Sequence, residues 1–206
     1  MIYQLASVLF PSIVWSHPAQ PPVVYLTFDD GPHPEFTIQV VRILEQFKVK
    51  ATFFMVGQKV EQYPDVVRAV ALSGLGIGMH GYTHQYMTLL SNSKHRQHLL
   101  KTQSAIQFVT GHPPTLFRPP YGGFAPGLIR LCRHLSITPV MWTNMPFDFE
   151  SRWSDEQVIS NAVKRTRNGT IIVLHDGHPL SNRTVRILPE IIERLRKRGF
   201  DLTQPL

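Results

Sequence analysis

The sequence predicts an α/β fold whose parallel strands close in the manner of a barrel. Apolar runs alternate with amphipathic stretches along the chain, several strand-like runs are continuously apolar, and polar residues follow five of the seven runs. Parallel strands need crossover helices between them, and continuously apolar strands are typical of a sheet covered on both faces. We therefore expect seven strands separated by six helices.

An open, doubly wound sheet would also satisfy this alternation. An open sheet gathers its functional residues mainly at one switch point, whereas a barrel builds its site from the carboxyl ends of many strands. Here Asp29, His80, Arg118, Asp148 and His175 each end or follow a different predicted strand. Five contributing strands favour barrel-like closure, with seven strands instead of eight.

The predicted elements follow one another in a regular order. The strands are short runs rich in β-branched and aromatic residues, and they span residues 23–28, 51–56, 75–79, 115–118, 138–142, 170–175 and 200–203. The helices combine apolar residues at helical spacing with a polar face, and they span residues 36–48, 62–73, 93–109, 125–135, 154–167 and 184–198.

Composition excludes several classes of protein. A chain of 206 residues with 43% hydrophobic residues has the length of one domain and is too apolar to be disordered. Its single cysteine, Cys132, excludes an internal disulfide and a cysteine-rich zinc site. The longest apolar stretch, residues 5–15, is shorter than the roughly 20 residues that cross a bilayer, so we expect no transmembrane segment. No feature indicates the oligomeric state.

The net charge of +7 comes largely from residues 183–198, where basic residues alternate with apolar ones at helical spacing. We interpret this segment as an amphipathic helix with a basic solvent face. The sequence contains no helix-turn-helix, zinc-finger or RNA-recognition signature, so we expect no nucleic-acid partner. The charge mildly favours an anionic polymer as a partner.

The N-terminus allows two interpretations. Residues 1–22 are either an apolar arm that packs on the domain or a weak signal peptide, and residues 23–206 form the domain itself. The apolar length suits a signal peptide, but Pro11 interrupts it and no Lys or Arg precedes it. The protein is expected in the cell envelope or outside the cell if residues 1–16 act as a signal peptide, and in the cytoplasm otherwise.

Two short motifs indicate a metal site. His80 and His84 are four residues apart, so on a helical turn their imidazoles share one face and can bind one metal ion. Asp29 and Asp30 follow the first strand as paired carboxylates. One of these carboxylates would complete a three-ligand catalytic site with an open position, and the other would lie close by as a candidate general base.

Two further strand ends carry candidate residues. Arg118, ahead of a Pro- and Gly-rich loop, can hold a carboxylate through two hydrogen bonds. His175 ends a fully apolar strand and becomes a candidate general acid if it faces the metal site. Four other histidines, His95, His98, His112 and His134, are expected at the surface or in turns.

With these motifs, the chain resembles the polysaccharide deacetylases, the NodB-homology domains of carbohydrate esterase family 4. The resemblance spans about residues 23–203 and rests on five motifs in the family's order. These are Thr27-Phe28-Asp29-Asp30-Gly31-Pro32, His80 to His84, Phe117-Arg118-Pro119-Pro120-Tyr121-Gly122, Trp142 with Asp148-Phe149, and Leu174-His175.

The resemblance implies a distorted (β/α) barrel and a metal-dependent enzyme that hydrolyses N-acetyl groups of a glycan containing N-acetylglucosamine, such as peptidoglycan or chitooligosaccharide, and releases acetate. It assigns a role to each matching residue. The metal that the resemblance implies is Zn²⁺, with Co²⁺ or another divalent ion as the alternative, and it would be held by Asp30, His80 and His84. The catalytic residues would be Asp29 as base, Arg118 as its partner, His175 as acid and Asp148 as the partner of His175. The Tyr121 N–H would face the oxyanion, and Leu174 would line the pocket for the acetyl methyl.

The sequence departs from the family pattern at two positions. Gly81 stands where the second motif prefers Ser or Thr, and Met145 stands where the fourth motif often has Asp. Two alternatives also stay open: a related amidohydrolase that acts on a non-sugar amide or imide, and a glycan-binding module without activity.

Overall fold

The structure is a computed structural model that describes residues 7–206. Its centre is one curled, parallel sheet. The strands of the described part are β1 Val24–Asp29, β2 Ala51–Met55, β3 Gly76–Met79, β4 Leu116–Phe117, β5 Thr138–Pro139 and β6 Thr170–His175. Their order across the sheet is β5-β4-β3-β2-β1-β6. The predicted α/β barrel-like fold is confirmed, with six strands instead of seven.

Helices connect the strands, as parallel pairing requires. They are α1 Phe36–Gln46, α2 Gly57–Gln62, α3 Pro64–Leu72, α4 Asn92–Thr110, α5 Pro126–His134, α6 Asp155–Lys164 and α7 Ser181–Lys197. Two of them, α4 and α6, begin at a serine whose side chain caps the helix. At α6, the Ser154 side chain accepts from the Gln157 N–H while the Gln157 side chain accepts from the Ser154 N–H, which satisfies two otherwise unpaired donors.

The predicted strand at residues 200–203 does not form. Asp201 makes one isolated bridge with Val23, and the Lys50 N–H donates to the Leu202 carbonyl. This segment therefore crosses the beginning of β1 and β2. Both edges of β1 are already paired, with β2 on one side and β6 on the other, so no free strand edge is available there to extend a ladder.

The sheet separates two apolar layers. Every residue of β1 is buried, and successive side chains point to opposite sides because a strand has a period of two. Leu26 and Phe28 pack in the large core between the sheet and the helices. Tyr25 packs with Phe54 in a smaller cluster on the other side. Thr27 and Asp29 lie on this inner side as well. The polar residues of β1 are therefore on the concave face of the sheet.

Single bridges span the gap between the outer strands β5 and β6. Asn144 bridges Ile172 of β6, and its side-chain amide donates to the Asn161 and Ala162 carbonyls and to the Thr166 hydroxyl of the α6 region. A side chain with three such bonds fixes the crossing segment firmly. The sheet is thus closed as a barrel only by isolated pairs, which fits a distorted barrel.

The segment just before β1 also packs on this gap. Val14 bridges Val140, Ser16 bridges Thr170, and Ile13 and Trp15 are buried. The structure therefore includes residues 13–17 in the packed body of the domain. Part of the segment 1–16 predicted as an arm or signal peptide lies outside the described residues, and that choice stays a prediction.

The basic helix α7 is confirmed as amphipathic, but much of its charge is paired. Arg183 and Arg186 contact Asp155, and Arg194 contacts Glu156 and Glu190. Exposed pairs of this kind contribute little free energy, but they lower the positive field of this face. Over residues 7–206, no helix is both long and apolar enough to cross a membrane.

Candidate active site

The carboxyl ends of the strands surround a cavity of about 490 Å³. Asp29, Asp30, His80, His84 and His175 line it, so strands β1, β3 and β6 all contribute, as barrel-like closure predicts. Arg118 and Asp148 lie directly behind these residues and are buried. The structure thus brings together all the charged residues that the sequence singles out.

Asp30, His80 and His84 form the one group of three or more potential metal ligands in the part of the chain that the structure describes. Oδ1 of Asp30 lies 2.9 Å from Nε2 of His84 and 3.4 Å from Nε2 of His80. Zinc–ligand distances of about 2.0–2.2 Å in a tetrahedron place ligand atoms roughly 3.4 Å apart, so the three atoms fit one divalent cation.

Neighbouring groups orient these ligands. Nδ1 of His80 lies 2.8 Å from the Arg118 carbonyl oxygen, which makes Nδ1 the donor and leaves the lone pair of Nε2 for a metal, as in many metal sites. The hydrogen bonds of Asp30 to both histidines outweigh its burial and hold the pKa of its carboxyl far below the usual range. The carboxyl is therefore ionised, as a metal ligand must be.

The loop between the two histidines is docked by backbone bonds. The Gly57 and Gln58 N–H groups at the beginning of α2 donate to the Gly81 and Tyr82 carbonyls. Gly81 has a φ of +74°, a conformation that strains residues with a Cβ. Glycine at this position is therefore matched to the turn, and main-chain bonds hold the loop that a Ser or Thr side chain was expected to support.

Asp29 forms a buried ion pair with Arg118, in which Nη1 donates to Oδ1 at 2.7 Å. Arg118 also donates to the Thr27 hydroxyl and to the Val140 and Met141 carbonyls. Burial alone lowers the pKa of the guanidinium, and Asp29 opposes that effect. Arg118 thus has three acceptors besides Asp29: the Thr27 hydroxyl and two main-chain carbonyls. It is therefore held in place although position 145 is a methionine and not an acidic residue.

His175 pairs with Asp148. Oδ1 of Asp148 accepts from Nδ1 of His175 at 2.9 Å, and Oδ2 accepts from the His175 N–H and the Thr184 hydroxyl. Burial lowers the pKa of His175, but Asp148, with smaller contributions from Asp30 and Asp29, raises it to about 9. The imidazole is therefore charged at neutral pH, with Nε2 available on the opposite side of the ring.

Tyr121 contributes a free main-chain donor at the cavity. The residue has a φ of +58°, which is uncommon for a residue with a side chain. Within the described part of the chain, its N–H has no hydrogen-bond partner, whereas the next two N–H groups bond to Pro119 and Pro120. An unpaired N–H beside a metal site can stabilise a developing oxyanion.

Leu174 does not lie where the sequence analysis places it. Its side chain is fully buried in the large core, and Val173 lines the cavity instead. The cause is the period of two along a strand: residues 173 and 175 share one face of β6, and residue 174 points to the other. On this strand Val173, and not Leu174 as the sequence predicts, therefore lines the cavity.

Lys59 is a site residue that the motifs do not reveal. It lies on α2 and lines the cavity, and its Nζ donates to the Asp30 carbonyl at 2.7 Å and to the Gly177 carbonyl at 3.0 Å. It therefore joins the loop that carries Asp30 to the loop that follows His175. A lysine on an amphipathic helix looks like a solvated residue in sequence, so only the fold exposes this contact.

Asp176 is a second unexpected residue, buried directly behind the Asp30 loop. The Thr37 hydroxyl donates to its Oδ2, and Oδ1 has no hydrogen-bond partner. Burial raises the pKa of this carboxyl to about 7. A Cβ on Gly31 would lie 2.5 Å from Oδ2, so the glycine of the first motif is needed for space.

Two histidines expected at the surface or in turns are instead buried. Nε2 of His95 lies 2.7 Å from the Met87 carbonyl, and Nε2 of His98 lies 3.1 Å from the Gln85 side chain. Both therefore anchor the loop that follows His84. Their positions in α4 at a spacing of three residues were the available signal, since such residues share a helix face.

A cavity that can hold one divalent cation beside a further buried carboxyl group and a charged imidazole has the parts of a metal-dependent hydrolase. Comparison with known proteins specifies the class. The polysaccharide deacetylase family model matches residues 16–140, and the chain belongs to this family.

Two relatives of similar length are named as deacetylases. A peptidoglycan-N-acetylglucosamine deacetylase of Bacillus cereus is 32% identical over 193 residues, which cover 91% of this chain and 88% of the relative. A chitooligosaccharide deacetylase of Azorhizobium caulinodans is 31% identical over 195 residues, which cover 89% of this chain and 92% of the relative.

Solved structures agree in fold. A crystal structure of a peptidoglycan N-acetylglucosamine deacetylase superposes with a TM-score of 0.90 at 28% identity and covers 98% of this chain and 92% of its own. A pseudoenzyme of the same family from Bacillus anthracis reaches a TM-score of 0.84 at 26% identity, over 93% of this chain and 66% of its own. That relative is a pseudoenzyme. Activity within this fold therefore depends on which residues line the cavity.

Proposed function

We propose that the protein is a metal-dependent deacetylase that hydrolyses N-acetyl groups of a glycan containing N-acetylglucosamine and releases acetate. The observation that carries this proposal is the arrangement of one cation site, one carboxyl group outside the set of possible metal ligands and one charged imidazole around a single cavity. Asp29 lies beside the cation site, with Oδ2 at 4.0 Å from Nε2 of His80. His175 lies on the neighbouring strand β6, in register with Asp29.

The cation fits the donor set. Two imidazole nitrogens and one carboxylate oxygen suit Zn²⁺, and also Co²⁺. When bound by Asp30, His80 and His84, the ion would supply Lewis acidity toward the amide carbonyl and the attacking water. We propose Zn²⁺ as the resident ion, since all three donors can reach one tetrahedral centre.

Asp29 would act as the general base. It takes one proton from the water whose oxygen attacks the acetyl carbon, and Arg118 holds its carboxylate in place through the buried 2.7 Å contact. The attack turns the carbonyl oxygen into an oxyanion, and the free N–H of Tyr121 donates to it. Val173 is placed to contact the methyl group of the acetyl.

His175 would act as the general acid. An amide nitrogen leaves poorly until it is protonated, and the charged imidazole supplies that proton from Nε2 as the carbon–nitrogen bond breaks. Asp148 holds the ring through Nδ1 and favours the charged form. The products are a free amino sugar and acetic acid, which ionises to acetate. Asp29 then releases its proton to solvent and His175 takes one up, so both residues return to their starting forms.

Two substrates fit equally well at the level of the reacting group, because peptidoglycan and chitooligosaccharides both carry N-acetylglucosamine. The names of the relatives support both. A non-sugar amide or imide would be hydrolysed by the same chemistry and is the alternative substrate class.

Acetate release tests the proposal. The metal-loaded protein, incubated with acetylated chitooligosaccharides and in parallel with peptidoglycan, should release acetate, and a chelator should abolish the release until Zn²⁺ is restored. Asp29→Asn should reduce turnover by about 10²- to 10⁴-fold, the range for loss of a general base, while metal analysis shows an unchanged zinc content.

The control separates chemistry from metal binding. His80→Ala should lose both zinc and activity, whereas Asp29→Asn should lose only activity. Saturable binding of both glycans without acetate release by the zinc-loaded wild type would contradict the proposal and identify a non-catalytic glycan-binding protein.

A further inference from the structure

A row of aromatic rings leads outward from the metal ligand His84. The ring centroids of His84 and Tyr121 are 4.5 Å apart, and those of Tyr121 and Tyr86 are 4.1 Å apart with nearly parallel planes. Tyr86 and Tyr121 are each 53% exposed. Tyr121 also lines the cavity, so the exposed surface of the two rings is continuous with the candidate active site.

The loop that carries Tyr86 is anchored on both sides. On one side of Tyr86, Gln85 contacts the buried His98. On the other side, the carbonyl of Met87 contacts the buried His95. The Met87 side chain is itself fully buried. A side chain between two such anchors is presented to solvent without freedom to withdraw, so little entropy is lost when a ligand binds it.

The backbone of Tyr121 supports the same conclusion. Its φ of +58° is unfavourable for a residue with a Cβ, and a strained residue of this kind is commonly held in place for function. Here the strain has two results: the N–H stays free at the cavity, and the ring stands between His84 and Tyr86. Folding alone does not need two large rings kept half-exposed in contact with each other.

We propose that Tyr86, together with the outer edge of Tyr121, forms a binding site for the pyranose ring next to the one that is deacetylated. This proposal rests on the function proposed above and names the part of the glycan that the cavity itself does not hold. In a β-linked chain of glucosamine units, the ring faces carry only C–H groups, and such faces pack on the exposed surface of an aromatic ring. The protein would therefore prefer oligomers to single sugars.

Binding to an inactive variant tests this site directly. Calorimetry with zinc-loaded Asp29→Asn measures the affinity for N-acetylglucosamine, its two-unit oligomer and its four-unit oligomer. The longer oligomers should bind more tightly than the monosaccharide. The gain is the ratio of the affinity for the four-unit oligomer to the affinity for the monosaccharide. Tyr86→Ala in the same background should reduce this gain by about 3- to 10-fold, the equivalent of one aromatic contact.

Two matched variants complete the design. Tyr86→Phe keeps the ring and should retain the gain. Phe108→Ala removes an aromatic side chain that is 92% exposed on α4 and does not line the cavity, and it should also retain the gain.

The outcomes are distinct from those of the acetate assay. An unchanged gain in Tyr86→Ala overturns the proposed sugar site even if the wild type releases acetate. Equal affinity for the monosaccharide and the four-unit oligomer, or no binding of any oligomer, overturns it as well. Failure of acetate release with an intact, Tyr86-dependent gain would overturn only the proposed reaction.

Discussion

At the scale of single residues, the proposed chemistry depends on two carboxyl groups, each paired with a basic side chain. One pair holds the proposed base, and the other holds the proposed acid. Asp29 is paired with Arg118, whose buried guanidinium donates to the carboxylate and holds it in one orientation. Asp148 is paired with a titratable histidine, so its charge decides whether His175 can donate a proton. Both carboxyl groups are buried, which strengthens the electrostatic effect of each on its partner.

The pH dependence of activity should report on His175. Its pKa of about 9 means that the charged, acidic form is present below about pH 9 and is lost as the pH rises through that value. Asp148→Asn removes the main partner, so the alkaline limb of kcat/KM should move to lower pH by about one to three units. A pH series of acetate release with both proteins measures the shift.

The neighbourhood of His175 supplies the control. Besides Asp148, the groups that influence its ring are Asp29, Asp30 and His178, with the Phe149 ring 5.0 Å away. Thr184→Val removes one hydrogen bond to Asp148 and keeps the charge, so its limb should move less. An alkaline limb that is identical in wild type and Asp148→Asn would contradict the role of His175 as acid.

The ion pair between Asp148 and His175 also affects the stability of the fold. Because the pKa of His175 is raised in the folded state, the pair stabilises the fold fully below the unfolded value of about 6.5. This contribution is lost as the pH rises through about 9.

At the scale of elements, the short helix α2 organises the site although it carries none of the motifs. Its first N–H groups hold the loop between His80 and His84, and its Lys59 joins the loops after β1 and β6. Three strand ends are thereby fixed relative to one another by one six-residue helix. Positioning of this kind affects metal affinity and rate through residues that never contact the reacting atoms.

Lys59→Met should therefore lower kcat by about 10- to 100-fold, the usual range for groups that orient metal ligands, with a smaller change in KM. Methionine keeps the length of the side chain and removes the donors to Asp30 and Gly177. Zinc affinity, measured by competition with a chromogenic chelator, should fall as well. Gln58→Met alters the exposed neighbour on the same helix and should leave all three quantities unchanged. A Lys59→Met protein with wild-type kcat and zinc affinity would refute the positioning role.

At the scale of the whole molecule, a curled parallel sheet closed by isolated bridges places five strand ends around one cavity. The segment before β1 takes part in this closure, because Val14 and Ser16 bridge the two sides of the gap. Trp15 packs in a small apolar cluster with Met141, and its ring lies edge-on to that of Phe124 with the ring centroids 6.2 Å apart. We propose that this segment is an integral arm of the domain.

Trp15→Ala should lower the free energy of unfolding by about 3–5 kcal/mol, as loss of a buried aromatic side chain usually does. Urea denaturation followed by circular dichroism measures the change. Phe108→Ala, at an exposed position, should alter it by less than about 0.5 kcal/mol. Equal stability of the two variants would show that the arm contributes nothing to the fold.

The sequence by itself determined the class of fold, the order of most elements and the charged residues of the site. It could do so because each depends on local pattern: apolar periodicity defines the strands and helices, and carboxylates or imidazoles that follow strands mark the carboxyl edge of a parallel sheet. His80, His84 and the Asp29–Asp30 pair could be identified in this way.

Only the tertiary structure decided which side of β6 faces the cavity, that residues 200–203 add no strand, and that Lys59, His95 and His98 support the site. These outcomes depend on strand register, on whether a strand edge is free, and on which helix packs beside which loop. Such contacts join residues far apart in the chain, and no local pattern records them.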